Sequence, residues 1–517
     1  MQPIGELVAE LARLGVRLWT QRGELRFSGP PDATKHPAFS ALRDRKLEAI
    51  TFLDARSGAP ARPHVVPVER PKHLALSQTQ QTIWQLGVVK NELQGQVTIE
   101  LLLPTQPHVE VWEHALNCLI RRHEILRTVY RDGPNGIEQV VLDDLPVTIN
   151  VANLDHLSKE SAGKFVDDEL RPAFRDEQID LENGPMVLAQ IFVIAEANIL
   201  LLSFHQLAVD VYSQPMLLRE LISFYQATRA KVEPTTPTLT VQYADFTLWE
   251  HALLDAGNNE HASYWSSRLA DVPPASLGTG QRMAPPFRAG MKRIAFPQPV
   301  VIATRSAAIQ AGVDLELFLI AAANVLVSAW SKQPRAAVGL LVAGRPPGAE
   351  RSIGAFAHIR PFILDLSEDL PFEKVLWQAR AEHLATMNAK YVVTHREVAS
   401  HKLHRVFFSV TKVSNEGPNL SPAVPDVPVQ ALRGADYFHH FVLTLTLHAS
   451  GIRGRLDYAE GVIDESKAEW FAQELPAFLM RVSKNIRLSL SEAVESAGGN
   501  GESRIESQIQ GDLLGGV

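Results

Sequence analysis

Ser203-Phe204-His205-Gln206-Leu207-Ala208-Val209-Asp210-Val211 is the stretch on which the reading of this chain turns. The residues before it, Ile199 to Phe204, are almost all apolar and predict a buried strand. The strand runs into a loop that carries a histidine and an aspartate five positions apart. An imidazole with a pKa of about 6.5 suits proton transfer near neutral pH. The neighbouring Gln206 does not, because a carboxamide orients by hydrogen bonding and takes no proton. Val211 follows the aspartate, and a β-branched residue resists positive φ and adds bulk. Upstream, Met186 to Phe204 is interrupted by Gln190, Glu196 and Asn198. It predicts two buried strands around a turn, since a bilayer span needs about 20 apolar residues in a row.

A chain of 517 residues holds more than one domain, at roughly 100–200 residues each. Hydrophobic residues at 45% and charged residues at 21% are ordinary globular values. The net charge of -8 argues against a nucleic-acid partner, which calls for a basic face. Cys118 is the single cysteine, which excludes an intramolecular disulfide and a thiolate metal site. His439-His440 and the pair His401 and His404 lack carboxylate or thiolate companions in a fixed spacing, so no metal is expected. Met1-Gln2-Pro3-Ile4-Gly5-Glu6 has neither the basic nor the apolar region of a signal peptide. The expected setting is cytoplasmic, with no membrane association.

Five segments are expected. In residues 1–56, Ile4, Leu7, Val8 and Leu11 mark an amphipathic helix that Gly15 ends. Val16 to Thr20 and Glu24 to Phe27 flank Gln21-Arg22-Gly23 as a hairpin, and Leu42, Leu47, Ile50 and Leu53 mark a second helix. Residues 57–72 are rich in proline and small residues and read as a semi-rigid linker. From 73 onward strands and helices alternate, an α/β pattern. A Pro/Gly-rich break near 270–290 divides this body into lobes 73–270 and 271–487. Leu315 to Trp330 is long enough for a buried helix, and Tyr243, Phe246 and Trp249 read as core. Residues 488–517 turn to Ser, Glu and Gly and read as a flexible tail, with scattered Ile and Leu from Ile505 to Leu514.

Motifs in fixed order give the body a family resemblance. They are Leu76 to Trp84, Arg122-His123-Glu124-Ile125-Leu126-Arg127-Thr128, the His205–Asp210 segment, Gln242 to Trp249, Tyr264-Trp265, Ala343-Gly344-Arg345 and Ile353-Gly354-Ala355-Phe356. In this order they resemble a nonribosomal peptide synthetase condensation domain, whose signature is H-H-x-x-x-D-G. Residues 1–56 resemble a TubC-type β-hairpin docking domain, through the first helix, the Gly15-to-Trp19 hairpin start and Leu42-Arg43-Asp44-Arg45-Lys46. The resemblance implies two chloramphenicol-acetyltransferase-like α/β lobes forming a V-shaped pseudo-dimer with a tunnel between them, preceded by a small α+β docking domain. It implies no cofactor of its own; carrier proteins present phosphopantetheine arms at the tunnel. An upstream synthetase subunit is expected to bind residues 1–56, with Arg17, Trp19 and Arg26 as candidate docking residues.

The sequence departs from that pattern at four places. Gln206 stands for the second histidine and Val211 for the glycine. His358-Ile359 stands where the family's I-G-x-F-V-N-T has Asn-Thr, and His395-Arg396-Glu397-Val398 is a remnant of H-Q-D-x-P-F-E. Val211 therefore predicts a rebuilt loop and a narrowed tunnel. Asp210 is expected to be structural, paired in the family with an arginine for which Arg122 and Arg127 are candidates. His205 is expected to orient or pack, and Arg345 to line the tunnel. Two readings of His358 stay open: a replacement base from the opposite wall, or drift at a site released from selection.

Two functions follow. One is a stand-alone enzyme acting in trans, joining carrier-tethered acyl or aminoacyl groups as an amide or ester, with His205, Gln206, Asp210 and His358 at its site. The other is a degenerate scaffold that binds carriers or recruits a tailoring enzyme. A simple acetyl-CoA-type acyltransferase fits less well, since it too needs the histidine and has no use for residues 1–56.

Overall fold

In a computed structural model the chain divides into two units, residues 1–64 and 65–517. The residues described are Leu7, Leu11, 16–21, 24–28, 36–45 and Ala49 in the first unit. In the second they are 64–85, 95–103, 107–194, 198–255, 259–278, 289–388, 402–403, 405–412 and 440–495, where residue 64 closes the first.

The first unit is a β-hairpin with helices. β1 (Arg17–Gln21) and β2 (Glu24–Ser28) pair antiparallel; residues 22 and 23 between them lie outside the described residues. Leu18 faces Phe27 across the ladder, and Leu25 lies two residues from Phe27 on the same strand, so these three share one side. That side meets Leu7, Leu11, Val16, Leu42 and Ala49, all buried. α1 (Pro37–Asp44) begins where His36 Nδ1 accepts the Ala38 N–H at 3.3 Å, with proline in the first turn where its missing N–H costs nothing. Most of the second predicted helix beyond Ala49, and the linker as far as residue 63, lie outside the described residues.

The second unit contains two sheets of unequal size and a small third. β4 (Gln96–Leu103), β9 (Asn198–His205), β8 (Val187–Val193) and β7 (Asn150–Asn153) form one in that order. The small sheet is β3 (Leu74–Ala75), β6 (Gly136–Val141) and β5 (Thr128–Gly133). All eight residues of β9 are buried, because both faces are covered. Leu200, Leu202 and Phe204 enter a core with Leu116, Leu119, Leu217 and Leu221. These four lie on α3 (Val109–Arg122) and α4 (Gln214–Ala230). On the other face Ile199 and Leu201 pack with Phe174 and Phe192. A strand covered on both sides has no polar alternation to show, which is why its sequence is an apolar run. α2 (Gln78–Gln85) and α5 (Tyr243–Asp255) complete this lobe. Tyr243 and Phe246 are in its core, with Trp249 packed at the margin, as the sequence predicts.

The second lobe is built on β10 (Ala289–Ile294), β15 (Ile452–Ala459), β14 (Phe441–Leu447), β13 (Val406–Lys412), β11 (Arg335–Val342) and β12 (His358–Asp365), in that order. α6 (Asn259–Leu269) belongs to it: Trp265 and Leu269 pack with Ala337, Ile363 and Leu403 on one side of the sheet. The other side is covered by α7 (Gln298–Gln310), α8 (Leu315–Ser331), α9 (Phe372–Asn388) and α10 (Glu465–Lys484). Every residue of α8 from Leu317 to Val327 is buried. No single helix among the described residues is long and apolar enough to cross a membrane.

Two expectations are corrected. Residues 488–495 do not belong to a flexible tail: α11 (Leu490–Glu495) packs onto the second core through Ala493, which is 0% exposed, and Arg481 Nε donates to its carbonyl at 2.8 Å. The chain's approach to the first lobe is also anchored. The Val68 N–H donates to Asp245 Oδ1 at 2.8 Å, and Arg70 spans Glu124 and Asp245 at 2.8 and 2.5 Å. Polar linker composition concealed both sets of anchors.

Candidate active site

β9 delivers His205 to the end of the first sheet, opposite Gln96 of β4. The ring is 5% exposed, and burial pulls its pKa down to about 3. Its Nδ1 accepts the Leu207 N–H at 3.2 Å, which leaves the proton on Nε2. Burial thus favours the neutral ring, whose Nδ1 is engaged within its own turn. Gln206 is half-buried in the following turn, and its N–H donates to Gly95 O at 2.7 Å. The turn is braced at Leu207 O, which accepts from Gln80 Nε2 and Tyr130 Oη, both at 3.1 Å.

Asp210 is the junction of the site. Its Oδ2 accepts the N–H groups of Phe356 and Ala357 at 3.0 and 2.8 Å. Its Oδ1 accepts the Ser213 N–H at 2.6 Å and Arg345 Nη2 at 3.1 Å. Ser213 Oγ adds a bond to Gly354 O at 3.0 Å and accepts from Arg345 Nη2 at 2.5 Å. The Arg345 guanidinium lies over the Phe356 ring, 4.7 Å from its centroid. Residues 343–357, between β11 and β12 in the second sheet, thus carry Ala349, Ile353, Ala355 and Phe356 into the core of the first lobe. Tyr243 Oη closes the junction, donating to Ala355 O at 3.0 Å and accepting from Ser77 Oγ at 2.7 Å. Gly354 lets that ring approach: a Cβ there would sit 2.0 Å from Tyr243 Cδ2.

The arginine that pairs with Asp210 is Arg345, 135 positions away, and not Arg122 or Arg127 as expected. Arg122 pairs with Glu220 at 2.9 Å, and Arg127 donates to Leu142 O within its own lobe. Val211 is half-buried and is not among the described non-glycine residues with positive φ, so its β-branched side chain sits there without backbone strain. Ser213 and Tyr243 went unrecognised as parts of the junction; nothing in the sequence distinguishes them from ordinary loop and core residues.

His358 opens β12, directly after Ala357, and is half-buried. Its Nδ1 lies 3.3 Å from Phe356 O, which only accepts, so Nδ1 donates there, and Nε2 is sealed from solvent. Gly344, at φ +63°, passes so close that a Cβ would meet His358 Nδ1 at 2.7 Å. Tyr212 Oη donates to Leu341 O at 3.2 Å, tying the loop after Asp210 to the strand beside β12. The junction therefore sets the His358 imidazole one residue from the Asp210 clamp. His395 to Val398, His401, His404 and His439 lie outside the described residues. Burial and the positive charges of Arg405 and Lys402 pull His440 down to about 4, and no metal-ligating cluster forms among the described residues.

In the hairpin unit Trp19 and Arg26 are direct cross-strand partners. They occupy the side of the ladder opposite Leu18 and Leu25, which face the helices. Arg26 is exposed and Trp19 half-buried; the Arg17 side chain lies outside the described residues.

The pattern of the Condensation domain family matches residues 71–495, and that of the TubC N-terminal docking domain matches residues 4–54. Among curated proteins, the chain is similar to CymA, a probable non-canonical nonribosomal peptide synthetase of Salinispora arenicola. The two are 28% identical over 443 residues, 81% of this chain and 6% of that protein. It is similar also to malpinin synthetase of Mortierella alpina, 25% identical over 86% of this chain and 6% of that protein. The chain thus spans about 6% of the length of these relatives. Among solved structures, the EpoB cyclization-docking bidomain from Sorangium cellulosum matches with a TM-score of 0.73 at 19% identity, over 93% of this chain and 98% of that one. The X-domain from teicoplanin biosynthesis, in its complex with OxyB, matches with a TM-score of 0.71 at 24% identity, over 84% of this chain and 99% of that one.

Proposed function

The chain belongs to the condensation-domain family and carries an N-terminal TubC-type docking domain, and from that premise we propose that it joins carrier-tethered groups with His358 in place of the missing second histidine. Its fold is chloramphenicol-acetyltransferase-like, and its homologues are nonribosomal peptide synthetases. Docking and condensation domains together imply carrier-protein and synthetase partners, and substrates held on phosphopantetheine arms.

In the proposed reaction an acceptor amine or hydroxyl attacks the donor thioester carbon. A C–N or C–O bond forms as the C–S bond breaks. One proton leaves the acceptor, and the departing thiolate gains one, so the step is proton-neutral. Gln206 cannot carry that proton, and burial pulls His205 down to about 3, too weak a base near neutral pH. His358 is the remaining imidazole beside the Asp210 clamp: in this reading its ring accepts the proton and returns it to the thiolate. Gln206 orients the nucleophile. Asp210, Arg345 and Ser213 act as positioning residues, and residues 1–56 recruit an upstream synthetase in trans through the Trp19–Arg26 face.

The observation that carries this reading is the pair of bonds from the Phe356 and Ala357 amides to Asp210, because they fix the residue before His358 to the loop that follows Gln206. The test is intact-protein mass spectrometry of loaded donor and acceptor carriers with and without the protein. The reading expects the acyl group to appear on the acceptor only when the protein is present. Carriers that bind yet exchange nothing above buffer would mark the chain as a scaffold.

A further inference from the structure

Arg360 lies two residues beyond His358 on the same face of β12, about 7 Å along the strand. Its register partner is Leu340, and Phe362 and Leu364 on the same face enter the second core. The side chain is 3% exposed. Its Nε is sealed from solvent without a hydrogen-bond acceptor, and it forms no ion pair among the described residues. Glu316, in the first turn of α8, acts on it through space without closing on it. Burial pulls the guanidinium down to about 10, which leaves it charged at neutral pH.

A buried cation without a partner is costly to the folded chain. Arg345, the other arginine of the site described above, has Asp210 as its partner. Arg360 alone of the two is held ready in a dry setting beside the proposed proton acceptor. An anion brought to it gains a charge-assisted, bidentate contact at low dielectric.

We propose that Arg360 anchors a carboxylate carried by the acyl or aminoacyl substrate, so that the site selects short dicarboxylic groups such as succinyl or glutaryl. The inference rests on the condensation reading for the placement of the thioester beside His358. His358 and Arg360 are about 7 Å apart along the strand, a distance that a short spacer between a reacting carbonyl and a carboxylate covers. The phosphate of the pantetheine arm is the other anion that enters such a site, but it lies at the far end of the arm from the thioester.

The test is calorimetric binding to the full chain of three synthetic probes in which an amide replaces the thioester, so that turnover does not enter. These are the succinyl derivative of pantetheine, its neutral succinamoyl counterpart, and the succinamoyl derivative of phosphopantetheine. The succinyl probe should bind at least about tenfold tighter than the succinamoyl one, equivalent to about 1.4 kcal/mol. Arg360→Met should abolish the difference and Arg360→Lys should retain part of it. Arg360→Met should also raise Tm by several degrees, since it removes an unpaired buried charge. Equal binding of the two pantetheine probes, a preference that survives Arg360→Met, or a preference that follows the phosphate would overturn the proposal; so would a fall in Tm. His358→Ala should leave the preference intact. Loss of transfer with the preference preserved therefore counts against the catalytic reading alone, and transfer without the preference counts against this inference alone.

Discussion

Replacing Asp210 by alanine removes four bonds at once: those from the Phe356, Ala357 and Ser213 amides and that from Arg345. Asp210 is 8% exposed, and the Arg345 side chain 11%. Breaking a buried pair and stranding one charge costs about 3–5 kcal/mol. The orphaned amides raise the cost, and water entering the vacated space lowers it, so about 4 kcal/mol is expected for Asp210→Ala. Asp210→Asn keeps one carbonyl oxygen for Phe356 and Ala357 but turns an amide toward Arg345; about 2 kcal/mol follows. Removing the stranded charge as well, in Asp210→Ala/Arg345→Met, should recover about 2 kcal/mol relative to the sum of the single changes. Denaturant unfolding measures these differences, and hydrogen exchange over residues 354–358 reports the local effect. A loss under about 0.5 kcal/mol with unchanged exchange at Phe356 and Ala357 would refute the clamp.

Other outcomes follow from buried groups. Burial raises Glu250 to about 7, above the ordinary value of 4.5, while its carboxylate accepts the Gln78 N–H at 2.7 Å. The folded state then holds more protons than the unfolded one between those values, so stability falls as pH rises through the window; Glu250→Gln should flatten that fall in a pH series of unfolding curves. His205 has the opposite sign. Its folded value of about 3 lies below the ordinary 6.5, so its contribution is complete above about 6.5 and is lost as pH drops toward 3. His205→Gln should remove that acid sensitivity, and an unchanged slope would contradict the burial described. Trp265, at 0% exposed on the α6 side of the second sheet, should cost about 3–5 kcal/mol on truncation to alanine, read by thermal or denaturant unfolding.

Much of the fold was legible because local patterns agree with it. The apolar run Ile199 to Phe204 falls within β9, Leu315 to Trp330 falls within α8, and the two predicted strands of the hairpin pair as β1 and β2. Pairings across long sequence separations were not legible. Arg122 and Arg127 lie in a motif and invite assignment to Asp210, yet the arginine that reaches it is Arg345, brought by the connection between β11 and β12. Nor does sequence reveal that α11 packs its Ala493 away, since six residues of modest polarity resemble the start of a tail. Arg360 could not be singled out at all: an arginine in a strand is ordinary, and only its burial makes it costly. The strand-to-loop transition at His205 was legible because it is local.

The account turns on proton acceptance by a histidine from the second sheet. Its most direct measurement is the pH dependence of single-turnover acyl transfer between loaded carriers, in the unaltered protein and in His358→Ala. The account predicts an acid limb in the former that vanishes in the variant, together with a rate loss of about 10²–10⁴. The same limb and the same rate in both proteins would contradict it.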